Sequence, residues 1–101
     1  MKESEVQKLI LDYLRLNGCL VFKVNNGGVY IKSRDCYMKG PIKGVPDIVG
    51  LTSKGRFIGV EVKVKYNKPS AEQLSFLAEI KKRKGIALVA YSLDDIIKIK
   101  L

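Results

Sequence analysis

Apolar residues recur along this chain with two different periods, and the change of period separates predicted helices from predicted strands. Between residues 4 and 16 they return every three to four positions, which is the spacing of one helix face. These positions are Val6, Leu9, Ile10, Tyr13 and Leu14. Ser4, with Gln7 three residues later, has the pattern of a capping box that begins a helix, and Asn17-Gly18 has the pattern that ends one.

The same helical spacing returns in the second half of the chain. A helix is predicted over 71–84, with Ser70 as its N-cap and Gln73 at the capping-box position. The residues of its apolar face are Leu74, Leu77 and Ile80. A short capped helix is predicted over 92–97.

Shorter apolar runs, bounded by turn-forming residues, predict the strands. They cover 19–24, 46–51, 56–64 and 86–91, and a brief extended stretch at 29–31 adds to them. The element order α-β-β-β-α-β-α, which leaves that brief stretch out, predicts an α/β fold with a mixed central β-sheet flanked by helices.

The connection at 52–55 is short enough to make its two strands an antiparallel hairpin. Counting back from a four-residue turn, Leu51 faces Arg56, so Asp47 is predicted to lie opposite Val60 and beside Glu61.

Charged residues interrupt the second strand of this hairpin, at Glu61 and Lys63. Because residues two apart project from the same face of a strand, their side chains should emerge together while Val60, Val62 and Val64 face the other way. Buried charges are costly unless a ligand, metal or partner uses them. The alternative is a surface ion pair on an edge strand.

Composition narrows the chemistry. The 101 residues are 47% hydrophobic, which predicts one globular domain over 1–101. The apolar runs are too short for a membrane span, and no signal-peptide core follows the N-terminus, so a cytoplasmic protein is expected. Histidine is absent and the two cysteines lack metal-knuckle spacing, which argues against a zinc site or a His-based triad.

The net charge of +9 indicates a polyanionic partner, by default nucleic acid, although a merely Lys-rich surface is the alternative. The long segment 32–44 is basic and contains tyrosines, a pattern suited to phosphate contact and base stacking. An ordinary solvated connection is an equally open interpretation of this segment.

Asp47, Glu61 and the main-chain carbonyl of Val62 offer the hard oxygen ligands that Mg²⁺ or Mn²⁺ prefers. Such an ion supports phosphodiester hydrolysis. Lys63 should lie close to two carboxylates, so we favour positioning and electrostatics over proton abstraction for it.

Two segments carry a family resemblance. Gly44-Val45-Pro46-Asp47-Ile48-Val49-Gly50 and Gly55-Arg56-Phe57-Ile58-Gly59-Val60-Glu61-Val62-Lys63 resemble the PD-(D/E)xK nuclease core. With 70–73 and 85–92, which fit the tail of the family, nearly the whole chain resembles a stand-alone VRR-NUC (virus-type replication-repair nuclease) domain of the phage or bacterial type.

The resemblance implies a restriction-endonuclease-like core and a metal-dependent nuclease. In it, Asp47 and Glu61 bind the cation, Lys63 assists the attack, and Gln73 helps to hold the site. The family also places a Glu or Gln of the first helix near the metal, and Gln7 fits best. Glu3 and Glu5 stay open as alternatives, as does a simple capping role for Gln7.

The function expected from this resemblance is a structure-selective DNA endonuclease, resolving Holliday junctions as a homodimer in a bacterial or phage-infected host cell. Branched DNA is the expected partner, with no membrane and no small-molecule cofactor. The predicted DNA-binding residues are Lys32, Arg34, Lys39, Lys43, Lys65 and Lys68. The alternatives are a non-catalytic nucleic-acid-binding module, a flap or nicking nuclease acting with phage replication proteins, and an enzyme directed at RNA.

Overall fold

A computed structural model describes residues 1–24, 29–38 and 43–101. Its helices and strands, in chain order, are α1 (Glu3–Leu16), β1 (Leu20–Lys23), β2 (Val29–Ile31), β3 (Cys36–Met38), β4 (Ile48–Leu51), β5 (Phe57–Val62), α2 (Ala71–Lys82), β6 (Ile86–Ala90) and α3 (Leu93–Ile97). A single 3₁₀ turn, Lys32–Arg34, joins β2 to β3.

Four strands form the central sheet, in the order β1-β4-β5-β6. The first two pairings are antiparallel, and β5 pairs with β6 in parallel through the crossover helix α2. The predicted mixed sheet flanked by helices is therefore confirmed. Its strands begin and end within one or two residues of the predicted bounds.

The prediction of one long loop at 32–44 is partly wrong, because β3 lies within this segment and pairs with β2 as a separate antiparallel hairpin. The element order thus contains β3 as well as the brief stretch at 29–31, which is β2. A three-residue strand is too short to show the alternation by which strands are recognised in a sequence.

Both faces of the sheet are covered, but unequally. Helices α1 and α3 bury one face, where Ile10, Leu14, Val60 and Val62 are inaccessible to solvent. Helix α2 lies over β5 and β6 on the other face, with Leu77 and Ile80 against Ala87.

Close approach of α2 depends on Gly59 in β5. A Cβ atom there would lie 2.7 Å from Cδ1 of Ile80 and 3.1 Å from Cγ of Pro46.

The prediction that Leu74 belongs to the core face of α2 is wrong, since its side chain is 51% exposed. Helical spacing indicates which face is apolar, but not how far the underlying sheet extends beneath the helix.

The start of α1 also differs from the prediction. Lys2 is the N-cap, and its backbone N–H donates to Oε1 of Glu5, while Ser4 lies inside the first turn. The predicted end is confirmed: Asn17 is the C-cap, and Gly18 follows with a positive φ of 81°. Helix α2 begins at the predicted cap Ser70 but ends at Lys82, two residues early.

The β4–β5 hairpin is shifted by one residue from the predicted register. Leu51 pairs with Phe57 rather than Arg56, because Thr52 and Arg56 close the turn with a backbone hydrogen bond of 2.8 Å. The loop is thus three residues long, with Gly55 in the left-handed conformation that such loops require. Asp47 therefore falls opposite Glu61, not Val60.

Among the described residues, no helix is long and apolar enough to cross a membrane.

Candidate active site

Two carboxylates meet at the end of the sheet where β5 finishes and β4 begins. Since Ile48 pairs with Val60, the next residues outward, Asp47 and Glu61, oppose each other and project from the same face. Helix α2 begins over this end of the sheet. The predicted meeting of the two acids follows from the hairpin, and the corrected register brings them directly across from each other.

Hydrogen bonds on both sides hold Asp47 in place. Its side-chain oxygen Oδ2 accepts from the backbone N–H of Val62 at 2.9 Å, and its backbone carbonyl accepts from the N–H of Val24 at 2.8 Å. One residue, through its backbone and its side chain, thus links the end of β1 to the end of β5. The sequence does not show that Val62 supplies a donor to this acid.

The turn before Asp47 packs tightly on the first turn of α2. Gly44 has a φ of +87°, and a Cβ atom there would lie 2.4 Å from the carbonyl oxygen of Glu72. Both its backbone conformation and the space around it require glycine. This contact links the acid-bearing turn to the helix that carries Gln73.

Glu61 is an acidic residue that is almost fully buried, with only 1% of the residue exposed. Its Oε2 accepts from Nε2 of Gln73 at 3.1 Å and lies 3.6 Å from Nζ of Lys63. Its Oε1 is buried and has no hydrogen-bond partner within the described part of the chain. The pKa of Glu61 is raised to about 8, first by burial and then by the charge of Asp47, while Lys63 opposes both.

The capping box of α2 orients Gln73 toward this acid. Its Oε1 accepts from the N–H of Ser70 at 2.8 Å, while the Ser70 hydroxyl accepts from the N–H of Gln73 at 3.2 Å. With its oxygen occupied at the cap, the amide presents its Nε2 to Glu61. The predicted capping box is confirmed, and the same side chain serves both the helix and the acid.

Gln7 is buried in α1, with 6% of the residue exposed. Its Oε1, like that of Glu61, has no hydrogen-bond partner among residues 1–24, 29–38 and 43–101. The capping role considered for Gln7 is wrong, because Lys2 and Glu5 form the cap. Glu5 is exposed and occupied by that contact, which leaves Gln7 the better candidate of the two.

These residues fit a hard cation. In the described ranges, the buried side-chain oxygens without a partner are those of Gln7 and Glu61, and oxygen ligands are what Mg²⁺ and Mn²⁺ prefer. No group of three His, Cys, Asp or Glu side chains that could hold a metal occurs in the same ranges. A cation here would therefore need neutral oxygens, water or substrate phosphate beside Asp47 and Glu61.

The predicted DNA-binding residues are spread over three places. Lys32 and Arg34 are exposed in the turn of the β2–β3 hairpin. Lys43 is exposed and pairs with Glu72 at 3.9 Å, beside the start of α2. Lys65 and Lys68 are exposed in the loop after β5. The prediction for Lys39 lies outside the described residues.

One feature near the site was missed by sequence reasoning. Lys65, two residues beyond Lys63, has a φ of +54°. A left-handed lysine is uncommon and carries a conformational cost, and such residues cluster at functional sites. The sequence does not predict this left-handed conformation, because the residues that usually adopt it are glycine and asparagine rather than lysine.

A solved structure described as a "VRR_NUC domain" is similar to this chain. The TM-score is 0.66 with 27% sequence identity, and the match covers 95% of this chain and 90% of the other. No family model and no curated protein matches the chain. The chain therefore has the fold of a VRR-NUC domain, and this fold suggests a nuclease domain.

Proposed function

We propose that this nuclease domain is a Mg²⁺- or Mn²⁺-dependent endodeoxyribonuclease. The observation that carries the proposal is the state of Glu61, whose carboxylate is buried with a second acid opposite it and with one oxygen that has no partner among the described residues. Such an arrangement costs stability in the metal-free protein, and a bound cation would remove the cost. Asp47 and Glu61 would hold the ion, with the carbonyl of Val62 and the amide oxygen of Gln7 as neutral ligands.

A divalent cation bound here supplies a water of lowered pKa and positive charge next to the phosphate. The remaining work falls to the protein. The N–H of Val62 keeps Asp47 in place, and Gln73 keeps Glu61 in one orientation. The side chain of Lys63 is 19% exposed and its ammonium lies 3.6 Å from Glu61, so it could orient the attacking water and stabilise negative charge on the phosphate.

Branched DNA is the proposed substrate, and a Holliday junction cut by a homodimer is the specific form we favour. The net charge of +9 supports a nucleic-acid partner bound through its phosphates. Paired cuts in a two-fold symmetric junction call for two active sites, hence a two-fold dimer. Lys32, Arg34 and Lys43, with Lys39, Lys65 and Lys68, are the proposed phosphate contacts.

The proposal is tested by incubating the protein with labelled four-way junction, flap, nicked duplex, plain duplex and single-stranded DNA, and single-stranded RNA, in EDTA, Mg²⁺ or Mn²⁺. Glu61→Gln is run beside Asp12→Asn, an exposed carboxylate on α1 that serves as the matched control. Metal-dependent paired cuts in the junction, lost only in Glu61→Gln, are expected.

The other outcomes separate the alternatives. Cutting confined to flaps or nicks would support the nuclease activity but contradict the four-way junction as its substrate. Cutting confined to RNA would show that the enzyme is a ribonuclease rather than a deoxyribonuclease. Binding to every substrate without cleavage in any metal would favour the non-catalytic module.

A further inference from the structure

We propose that a second copy of this chain docks on the part of the sheet that α2 leaves bare. This surface, the apolar face, consists of Leu20, Phe22, Leu51 and Phe57 on β1, β4 and β5. The inference names the interface of the homodimer in the proposed function, and its choice of partner rests on that function.

Strand register puts these four side chains on one face. Leu20 pairs with Leu51, and Leu51 pairs with Phe57, so the three form a row across three strands. Phe22 lies two residues beyond Leu20 and therefore projects from the same side. Paired residues share a face of the sheet, so the four side chains form one continuous patch.

The patch is open to solvent in the single chain. Leu20 is 73% exposed, Phe22 55%, Leu51 43% and Phe57 41%. On the opposite face of β1, Val21 is only 4% exposed because α1 covers it. Helix α2 does not extend this far, since its contacts are with β5 and β6. The outer half of the sheet is thus covered on one side only.

Its size suits an interface. The four side chains leave roughly 400 Å² open, since a large apolar side chain can bury about 150–250 Å². A standard interface takes about 800 Å² from each partner, of which somewhat more than half is apolar. The apolar face therefore supplies most of the apolar area that one partner of a stable dimer needs. In a two-fold contact the same patch serves both copies.

Packing of face on face is favoured over pairing of edge strands. Nη2 of Arg15 donates to the carbonyl oxygen of Val21 at 3.1 Å, so a side chain already occupies part of the β1 edge. Such occupation of an edge is a way of blocking strand addition. The face itself has no comparable cover from the described residues.

Beside the face lies a cleft of about 370 Å³, whose lining consists of Phe57, Phe76, Ile80 and Gly85 with the charged pair Glu79 and Arg83. Because Phe57 belongs to both surfaces, the cleft continues the apolar face toward α2. It offers a place for one large apolar side chain of the partner, which is the usual arrangement at the centre of an interface.

Charge also favours apolar contact between copies. Each chain carries +9, so two copies repel each other over most of their surface. None of the four residues of the apolar face is charged, and none offers a phosphate contact. The face is thus suited to a protein partner rather than to DNA.

The position of the face relative to the active site fits a dimeric enzyme. Phe57 and Glu61 project from the same face of β5 and are four residues apart, about 13 Å along the strand. Each active site would therefore lie close to the interface, on the same side of the sheet.

The test measures oligomeric state by light scattering and sedimentation equilibrium, without DNA or metal, over a wide range of concentration. The double variant Leu20→Glu with Phe22→Glu is compared with Leu16→Glu, an 87% exposed leucine on α1. We expect dimers for the wild type and for Leu16→Glu, and, for the double variant, monomers that keep the circular-dichroism spectrum of the folded wild type. Leu20→Ser alone, which should weaken the dimer at least tenfold, replaces the double variant if that one fails to fold.

A monomeric wild type would contradict the proposal that a second copy of the chain binds the apolar face. A double variant that stays dimeric would show that the dimer interface lies elsewhere on the protein. Cleavage assays on the same samples separate the two proposals: a wild-type dimer without nuclease activity contradicts only the proposed function, and an active monomer contradicts only the interface. In an active dimer, the double variant should still nick DNA but lose paired cuts in the junction.

Discussion

Replacing Glu61 with glutamine should stabilise the metal-free protein while it abolishes the proposed cleavage. Glutamine keeps the shape of the side chain and an oxygen that accepts from Gln73. It cannot ionise, and its new N–H groups can donate to the opposing Asp47. The substitution therefore removes the buried charge whose cost is described above, and leaves the hydrogen bond at 3.1 Å in place.

The sign and size of the effect follow from the pKa. The pKa of Glu61 is raised from 4.5 to about 8 by burial and by Asp47. Between these two values the folded protein keeps a proton that the unfolded chain has released, so the free energy of unfolding falls as pH rises. The loss is at most about 1.4 kcal/mol per pH unit, and no more than about 5 kcal/mol across the window.

This pKa already contains the attraction of Lys63, so the upper limit is the net cost of the charge after that ion pair is counted. We therefore expect Glu61→Gln to be about 2–4 kcal/mol more stable than the wild type at pH 8. For a domain of this size such a gain raises the melting temperature by roughly 10–20 °C. Near pH 4.5 the two proteins should melt together.

The assay is thermal and urea unfolding followed by circular dichroism, in EDTA, from pH 4.5 to about 8.5. At about a hundredfold excess over Kd, Mg²⁺ should raise the free energy of unfolding of the wild type by about 3 kcal/mol, and with it the melting temperature, and leave Glu61→Gln unchanged. Asp12→Asn is the control and should follow the wild type throughout. A Glu61→Gln protein no more stable than the wild type at pH 8 would refute the reasoning that the buried charge is costly.

Three further substitutions test the site and the DNA contacts. Asp47→Asn keeps a side-chain oxygen that accepts from the backbone N–H of Val62 but loses the negative charge. The rate of single-turnover cleavage should fall at least a hundredfold while DNA affinity is retained. Strong residual cutting would contradict a role of Asp47 in metal binding. Gln73→Ala removes the side-chain acceptor for the Ser70 N–H and the donor to the buried acid but leaves the Ser70 cap in place, so we expect about 1 kcal/mol lower stability in urea unfolding, together with slower cleavage. Neutralising Lys32, Arg34 and Lys39 together should flatten the plot of log affinity against log salt by about 2–3 in slope, and an unchanged slope would remove this segment from the interface.

Local sequence patterns were sufficient for much of the fold. The capping box of Ser70 and Gln73 and the glycine that ends α1 are formed by residues within one turn of each other, so their geometry depends little on the rest of the chain. The hairpin of β4 and β5 is likewise local, and it is enough to bring Asp47 and Glu61 together. Alternation along β5 correctly separated Glu61 from the buried valines.

Tertiary structure decided what depends on partners distant in sequence. The register shift at the hairpin is a local exception, because Thr52 and Arg56 close a three-residue loop where the sequence suggested a four-residue turn. The raised pKa of Glu61 requires burial under α2, and its contact with Gln73 requires the crossover to bring that helix back over the sheet. The bare apolar face exists because α2 covers only half of the sheet. The pattern of a strand shows that a residue is apolar, whereas only the arrangement of the neighbouring elements determines whether anything covers it.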